Sequence, residues 1–188
     1  QIMEFDKPLL VKNKSKDYLK GNWNLDYIYN ELGDMECCIG TSPNPGKCVY
    51  DNLNITIKEY IDNHNGNNPE DVMYATGDIL DIKDNLTESD WINTYSFDKF
   101  IMLISNKGSS TGFHTHGSAI NILINGKKSW ELYDPKSPTS WKGPDYSYIP
   151  DEKEIVKITQ HAGDIVIIPS NWMHSVVNES DNTICLIC

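Results

Sequence analysis

The sequence predicts a mainly β fold of the α+β class, an antiparallel sandwich or barrel with helices in its N-terminal half. Two observations predict this class. From residue 98 onward, short runs of β-branched or alternating residues follow one another, separated by glycine, proline, asparagine and serine. Such runs with frequent turn residues are typical of antiparallel sandwiches and barrels. Before residue 98, two segments carry helix-capping residues at the correct spacing.

The N-terminal half begins with a predicted strand followed by two predicted short helices. Residues 8–13, with the sequence PLLVKN, have the composition of a strand. Asn24 is placed to cap a helix with the sequence LDYIYNEL, and Gly33 is placed to end it. Thr56 and Glu59 have the spacing of a capping box. The segment that follows Thr56, IKEYIDN, is therefore predicted to be the second helix.

The C-terminal half contains seven predicted strands. No repeat and no linker separates them, so we expect one domain over residues 1–188. In that domain, residues 98–188 form the core of the barrel, and the helices and strands of residues 1–97 support it. Residues 136–153 are the longest insertion without a helix or strand pattern, and we expect them to cross one end of the barrel. The predicted strands are residues 100–104, 119–124, 129–134, 154–159, 164–169, 173–178 and 183–187.

The charge and the hydropathy of the chain argue against two classes of partner. Its net charge is -11, whereas affinity for nucleic acid comes mostly from lysine and arginine on phosphate. We therefore expect no nucleic-acid partner. No apolar run approaches the roughly 20 residues of a membrane-spanning helix, so we expect no membrane span. The scattered acidic residues are typical of a solvated surface.

The composition also restricts how the chain could hold an anion. All sixteen basic residues are lysine, so a carboxylate ligand would be bound by lysine, hydroxyls or amides. The abundance of asparagine, isoleucine, lysine and aspartate is typical of an AT-rich genome, such as that of a giant virus or a protist, and leaves the compartment open. The odd number of cysteines favours free thiols, with a bridge from Cys48 to Cys37 or Cys38 as the alternative.

Three of the five histidines form a pattern that suggests a metal site. His114 and His116 are two residues apart, so they face the same side if their segment is an extended strand. His174 follows a later predicted strand, which a small barrel could bring beside the first two. Three converging imidazoles would bind Fe(II), Zn(II), Ni(II) or Cu(II). The alternative is a chance His-x-His pair on a half-buried strand, with His174 hydrogen-bonded to a neighbour.

Polar residues near this pattern suggest a ligand with two carboxylates. Lys128 lies on the strand after His114, Thr111 precedes His114, and Asn121 lies between them. A metal could chelate the 2-oxo acid end of a small dicarboxylate, and a lysine could bind its far carboxylate. The alternative for Lys128 is a solvated turn lysine, which is how we interpret its neighbour Lys127.

Two segments together resemble the JmjC branch of the cupin fold, the Fe(II)- and 2-oxoglutarate-dependent oxygenases. They are TGFHTHGSAINILINGKKSWELYDP, residues 111–135, and HAGDIVIIPSNWMHSVVN, residues 161–178. Weaker similarity to the family extends over almost the whole chain. The resemblance implies a double-stranded β-helix, also called a jelly-roll or cupin barrel. It also implies Fe(II), or another divalent metal, as cofactor and 2-oxoglutarate as co-substrate.

The resemblance implies a role for each matching residue. Trp130 and Trp172 match residues with a structural role. The residues that align with metal ligands are His114, His116 and His174. Lys128 aligns with the lysine that binds the distal carboxylate of 2-oxoglutarate, and the other residues that align with the co-substrate pocket are Thr111, Asn121 and Asn178.

His116 departs from the family pattern, in which the second ligand is normally Asp or Glu. Three neutral imidazoles leave the metal with more positive charge than two imidazoles and a carboxylate. The first hypothesis, which follows from the resemblance, is a dioxygenase that hydroxylates a protein side chain. The alternative, which His116 favours, is a catalytically inactive binding or scaffold module that keeps a three-histidine metal site. A cupin of another class, such as an isomerase or a thiol dioxygenase, is a third hypothesis.

The resemblance also suggests partners and a compartment. We expect a polypeptide substrate, which the acidic surface would favour as a basic segment, and hydroxylation of it in preference to histone demethylation. The C-terminal helices that many relatives use for dimerisation are missing, so we expect a monomer. The His-x-His-Gly spacing is similar to that of a family member in the lumen of the endoplasmic reticulum. The resemblance therefore suggests the endoplasmic reticulum or another secretory compartment, and the cytoplasm is the alternative.

Overall fold

The computed structural model describes residues 5–42, 44–48, 55–63, 65, 71–76, 100–136 and 155–188. A 3₁₀ turn at Ser15–Asp17 and two α-helices, α1 (Leu25–Glu31) and α2 (Ile57–Asn63), lie in the first half. The strands are β1 (Leu9–Val11), β2 (Glu36–Thr41), β3 (Asn44–Cys48), β4 (Ile55–Thr56), β5 (Asp71–Thr76), β6 (Ile101–Ser105), β7 (Ser110–His114), β8 (Ala119–Asn125), β9 (Lys127–Tyr133), β10 (Ile155–His161), β11 (Ile165–Ile168), β12 (Met173–Asn178) and β13 (Thr183–Ile187).

The strands form two antiparallel sheets. The larger sheet has the order β1-β11-β8-β13-β6-β5-β2-β3, with β4 paired to β2. The smaller sheet has the order β10-β9-β12-β7. Neighbours in space are mostly not neighbours in sequence, because the chain alternates between the two sheets as in a jelly roll. The predicted mainly β fold, with a double-stranded β-helix, is confirmed.

Each face of the larger sheet packs against a different layer. Its outer face packs against the two helices in a cluster that includes Ile28, Tyr60 and Ile122. Its inner face packs against the smaller sheet, where Val166 of β11 lies in one cluster with Trp130 of β9. Side chains alternate between the two faces of a strand. The inner faces of both sheets therefore enclose the space in which the candidate site lies.

The two predicted helices are confirmed together with their caps. The side chain of Asn24 accepts a hydrogen bond from the backbone N–H of Tyr27 at 2.8 Å, which caps α1. Thr56 and Glu59 form the capping box of α2, with the Thr56 N–H donating to the Glu59 carboxylate at 2.7 Å. Gly33 follows α1 at a point where α2 approaches closely. A Cβ atom at this position would lie 2.5 Å from Cγ of Lys58 on α2, so glycine avoids the clash.

All seven strands predicted for the second half are present, with bounds that differ by at most two residues. The sequence patterns did not predict β7, nor the strands β2 to β5 in the first half. Strands from both halves join in the larger sheet, where β5 pairs with β6. The predicted insertion at 136–153 lies outside the described residues except for Lys136. None of the helices in the described part of the chain has the length and apolar character that a bilayer crossing requires.

The cysteines divide into two states. Cys38 on β2 is disulfide-bonded. Cys37, Cys185 and Cys188 are free thiols. The preference for free thiols is therefore confirmed for these three residues and wrong for Cys38, which is bonded; the side chain of Cys48, its predicted partner, lies outside the described residues.

Candidate metal centre and an adjoining buried lysine

The three patterned histidines come together at one end of the barrel interior. His114 is the last residue of β7 and pairs directly with His174 of β12. His116 follows two residues later, beyond the end of the strand. Potential ligand atoms of the three rings lie within 4.8 Å of one another. The convergence predicted from sequence is present, but His116 reaches the group from the β7–β8 connection and not from a strand.

Each of these three rings is oriented by a backbone carbonyl. The Nδ1 atoms lie 2.8 Å from the Gly112 oxygen for His114, 2.6 Å from the Gly117 oxygen for His116 and 2.9 Å from the Trp172 oxygen for His174. A carbonyl oxygen can only accept, so each Nδ1 carries the proton and donates it. In a neutral ring, Nε2 is then left with its lone pair free. This is the arrangement by which outer groups fix histidines that bind metals.

Burial keeps two of the rings in the neutral form. His174 is 2% exposed. Loss of hydration lowers its pKa to about 3, and the nearby His114 contributes to the same shift. Burial likewise lowers the pKa of His114. Metals bind the deprotonated imidazole, so these rings do not have to lose a proton at neutral pH. His116 is exposed and lies where the group meets solvent.

The donor set fits a divalent transition metal. Within the described part of the chain, the three histidines are the one group of at least three His, Cys, Asp or Glu side chains close enough to share an ion. Three imidazole nitrogens suit iron, zinc, nickel or copper and leave coordination positions for a small chelating ligand. The group contains no carboxylate, as the sequence predicted from His116.

Lys128 lies in the barrel interior and is not a solvated turn lysine. It is 3% exposed, on the inner face of β9. Its Nζ lies 2.9 Å from the Sγ of Cys185, on β13 of the facing sheet. It also lies 5.9 Å from the centroid of the Trp130 ring. None of the ion pairs between residues that the structure describes includes Lys128. A buried ammonium without a counter-charge is costly, so this position fits an anionic ligand.

Asn121 adds a second unsatisfied group to the same interior. It is 2% exposed on β8, and neither its Oδ1 nor its Nδ2 has a hydrogen-bond partner among the residues that the structure describes. Its neighbour across the sheet is Ile187, two residues along β13 from Cys185. The side chains of Asn121 and Cys185 therefore point to the same face. A buried amide usually has partners, so Asn121 fits a ligand that brings a polar group.

The two other predicted pocket residues differ in what they can offer. Thr111 is half-buried on β7, opposite Val176 of β12, and so belongs to the interior face. Asn178 is paired with Lys128 across the smaller sheet. Its Nδ2 donates to the hydroxyls of Ser105 at 2.6 Å and of Ser109 at 2.7 Å. Both hydrogens of its amide are thus engaged by the protein, and it braces the two sheets.

Sequence reasoning did not single out Gln160 or the role of Cys185. Gln160 is fully buried, and its Oε1 accepts a hydrogen bond from Trp130 Nε1 at 2.9 Å. Its Nε2 donates to the backbone oxygens of Asn121 and Asp164. This holds the Trp130 ring, whose centroid is 6.1 Å from that of His174. The only sequence signal was a polar residue at an inward position of a strand.

Comparisons with known proteins agree with this geometry. Residues 144–184 match the family model described as JmjC domain, hydroxylase. The chain is 30% identical over 84 residues to the human JmjC domain-containing protein 8, a match that spans 40% of this chain and 32% of that protein. The resemblance to the JmjC family is confirmed. The chicken 2-oxoglutarate and iron-dependent oxygenase JMJD4 is 33% identical over 120 residues, which span 50% of this chain and 28% of that protein.

The same fold also appears in solved structures. The X-ray structure of ycfD from Escherichia coli matches with a TM-score of 0.60 at 14% identity, over 98% of this chain and 50% of that one. A second structure of the same protein, titled ribosomal oxygenase YcfD, matches with a TM-score of 0.58 at 12% identity, over 96% of this chain and 47% of that one. The matches to the human and chicken proteins span only about a third of the length of each.

Proposed function

We propose that the chain is an Fe(II)- and 2-oxoglutarate-dependent oxygenase of JmjC type that hydroxylates a polypeptide side chain. One observation carries the proposal. The barrel interior holds three imidazoles with free Nε2 atoms at one end, and on the same inner faces a buried ammonium that lacks a carboxylate partner. Two similar proteins support it by their names: a 2-oxoglutarate and iron-dependent oxygenase in chicken and a ribosomal oxygenase in Escherichia coli.

The metal would be held by His114, His116 and His174. When bound, Fe(II) with 2-oxoglutarate supplies the oxidising chemistry that inserts oxygen into an unreactive C–H bond while the co-substrate is decarboxylated to succinate. The chain contributes the geometry. Each Nδ1–H bond to a backbone carbonyl fixes a ring, so the Nε2 atoms need little reorganisation to accept a metal.

Lys128 would bind the distal carboxylate of 2-oxoglutarate. Its side chain leaves β9 toward the interior, where exclusion of water strengthens an ion pair. The amide of Asn121 and the hydroxyl of Thr111 would supply further hydrogen bonds to the ligand. Such charge-assisted hydrogen bonds are each worth roughly 1.5–3 kcal/mol. The ligand would thereby satisfy the two groups that the protein leaves without a conventional partner.

The substrate would approach from the side of His116. This histidine and its neighbours Gly117 and Ser118 are exposed, whereas His174 is buried. An overall charge of -11 favours a basic polypeptide segment as the partner. Disulfides persist in oxidising compartments, so the bonded state of Cys38 supports a secretory location over the cytoplasm.

The proposal is tested by anaerobic reconstitution. The chain is loaded with Fe(II) without oxygen and titrated with 2-oxoglutarate while the visible charge-transfer absorption of an iron chelate is followed. Oxygen is then admitted and succinate is counted. We expect the band and a slow, uncoupled formation of succinate. Iron that binds without a band and without succinate would overturn the proposal. Apo chain and a Zn(II)-loaded sample serve as controls.

A second candidate function is a catalytically inactive JmjC-like binding module. The observation that favours it is His116, which stands where a carboxylate would neutralise part of the metal charge. His116→Asp distinguishes the two functions. If succinate formation rises in this variant while the parent chain is silent, the co-substrate pocket is intact and only the ligand set is limiting. If both are silent although both bind iron, the binding module is the better description.

A further inference from the structure

The contact between Lys128 and Cys185 joins an amine to a thiol inside the barrel. The Nζ and Sγ atoms are 2.9 Å apart, and the residues are 3% and 1% exposed. Lys128 lies on β9 of the smaller sheet and Cys185 on β13 of the larger sheet. β9 pairs in register with β12, and β13 pairs in register with β6, while the pairing of β13 with β8 shifts register between Ile184 and Cys185. The two atoms are thus kept together by paired strands and not by a flexible loop.

This pairing separates Cys185 from the other free thiols. Cys188 has a backbone carbonyl, that of Ile120, at 3.8 Å from its Sγ. Cys37 has the carboxylate of Glu59 among the charges that act on it, and burial raises its pKa to about 12. A cationic neighbour is one of the features that favour oxidation of a cysteine. Among the three free thiols, Cys185 is the one with a lysine nitrogen at hydrogen-bond distance.

We propose that Lys128 and Cys185 form a peroxide-sensitive pair that oxidation joins through a sulfur–nitrogen bond. Hydrogen peroxide first converts the Cys185 thiol to a sulfenic acid and is itself reduced to water. The Lys128 ammonium releases one proton to solvent, and its nitrogen lone pair attacks the sulfenic sulfur. The S–N bond forms, the S–O bond breaks, and the oxygen leaves as a second water. The product is a sulfenamide, which a thiol reductant returns to the free pair.

The bond would switch off the proposed co-substrate pocket. A sulfenamide nitrogen carries no positive charge and cannot donate the hydrogen bonds of an ammonium. The pocket would lose its only candidate counter-charge among the described residues for a distal carboxylate. This consequence rests on the proposed function, whereas formation of the bond does not. The two are therefore measured separately.

The first measurement is of the bond. The full chain, loaded with redox-inert Zn(II), is treated with hydrogen peroxide, digested and analysed by mass spectrometry. We expect a peptide containing Lys128 to be linked to one containing Cys185 with the loss of two hydrogens, and the link to disappear after dithiothreitol. Cys37 and Cys188 are internal controls for non-specific oxidation, and Cys185→Ser and Lys128→Met are the matched variants. Sulfinic acid at Cys185 without a link, or a Cys185 no more reactive than Cys37, would overturn the proposal.

The second measurement is of 2-oxoglutarate binding to the same Zn(II)-loaded samples by calorimetry. We expect the oxidised chain to bind at least tenfold more weakly than the reduced chain, and the affinity to return after dithiothreitol. A link that leaves the affinity unchanged would overturn the switch. If even the reduced chain fails to bind 2-oxoglutarate, the proposed function is wrong. The first measurement still determines whether Lys128 and Cys185 form the sulfur–nitrogen bond.

Discussion

The two ends of the barrel interior satisfy their polar groups in different ways. At the metal end, formed by His114, His116 and His174, the Nδ1 of each ring already has a backbone carbonyl as partner. At the anion end, formed by Lys128, Cys185 and Asn121, the ammonium has a thiol and an aromatic ring beside it but no carboxylate among the described residues, and the amide has no hydrogen-bond partner there. The three histidines form a complete candidate donor set, whereas Lys128 and Asn121 lack the polar partners that a ligand could supply.

This difference in hydrogen bonding indicates where a ligand is expected to bind. A fold can keep neutral imidazoles in its interior at modest cost because each ring needs only one hydrogen bond to fix its tautomer. An ammonium and a primary amide need more partners than an apolar interior offers. Elsewhere in the same interior the chain does satisfy such groups, as Asn178 does with Ser105 and Ser109. The omission at Asn121 and Lys128 is therefore local to the proposed co-substrate pocket.

The largest effect is expected from removing a ligand at the metal end. His174→Ala should lower the affinity for Fe(II) or Zn(II) by more than about 100-fold, since even partners outside the ligand set cost 10–100-fold. The measurement is the metal content after equilibrium dialysis. His161→Ala is the control, because His161 is an exposed histidine of β10 outside the triad. A dialysed His174→Ala chain that still held one metal per chain would remove His174 from the site.

The metal end should also make the metal-free chain sensitive to acid. Because the pKa of His174 is about 3 in the folded chain and about 6.5 when unfolded, the unfolded state takes up a proton first as the pH falls below 6.5. Folding stability that is present above pH 6.5 is thus lost progressively toward pH 3, at about 1.4 kcal/mol per pH unit. Denaturant unfolding in the presence of a chelator, at pH 7.0, 6.0 and 5.0, measures this slope.

The matched variant isolates the contribution of this one ring. His174→Gln keeps a hydrogen-bonding side chain but does not titrate, so its stability should fall less steeply with acid than that of the parent. Equal slopes for the two chains would mean that His174 is not held neutral by burial. His114, whose pKa is lowered as well, acts in the same direction and is present in both chains.

At the anion end, Lys128→Met should separate binding from stability. The affinity for 2-oxoglutarate should fall by roughly 10- to 150-fold, which corresponds to the loss of a charge-assisted hydrogen bond. The free energy of unfolding without ligand should stay the same or rise, because an apolar side chain replaces an ammonium without a counter-charge. Calorimetry and denaturant unfolding measure the two quantities, with Lys127→Met as control. A parallel loss of both quantities would assign Lys128 a structural role.

Local patterns predicted most of the elements, and tertiary contacts decided the rest. The caps at Asn24 and Thr56 act within a few residues, so the sequence was sufficient for both helices. The strand β7 was not predicted because STGFH has little β-branched character, and it exists through its pairing with β12. The strand β5, which was also not predicted, likewise pairs with a strand of the other half of the chain, β6.

The candidate site also has features that local sequence predicted and features that depend on tertiary contacts. The spacing of the histidines and their resemblance to a known family predicted which residues converge. The burial of Lys128 was not readable from its own segment, because Lys127 and Lys128 look alike until the facing sheet covers one side of β9. The contact with Cys185 joins residues that are 57 apart in sequence. This contact could be identified only from the structure, in which the two sheets pack face to face.

The smallest effect is expected from Asn121, and it tests the comparison most directly. Asn121→Leu removes two buried polar atoms that have no partner, so the free energy of unfolding of the ligand-free chain should rise by about 1 kcal/mol. Asn178→Leu is the matched control, a buried asparagine with two hydrogen bonds to serines. It should lower that free energy by about 1–3 kcal/mol, because the serines lose their partner. If both variants lost stability equally, the amide of Asn121 would be as well hydrogen-bonded as that of Asn178. The anion end would then have no unsatisfied amide for a ligand to bind.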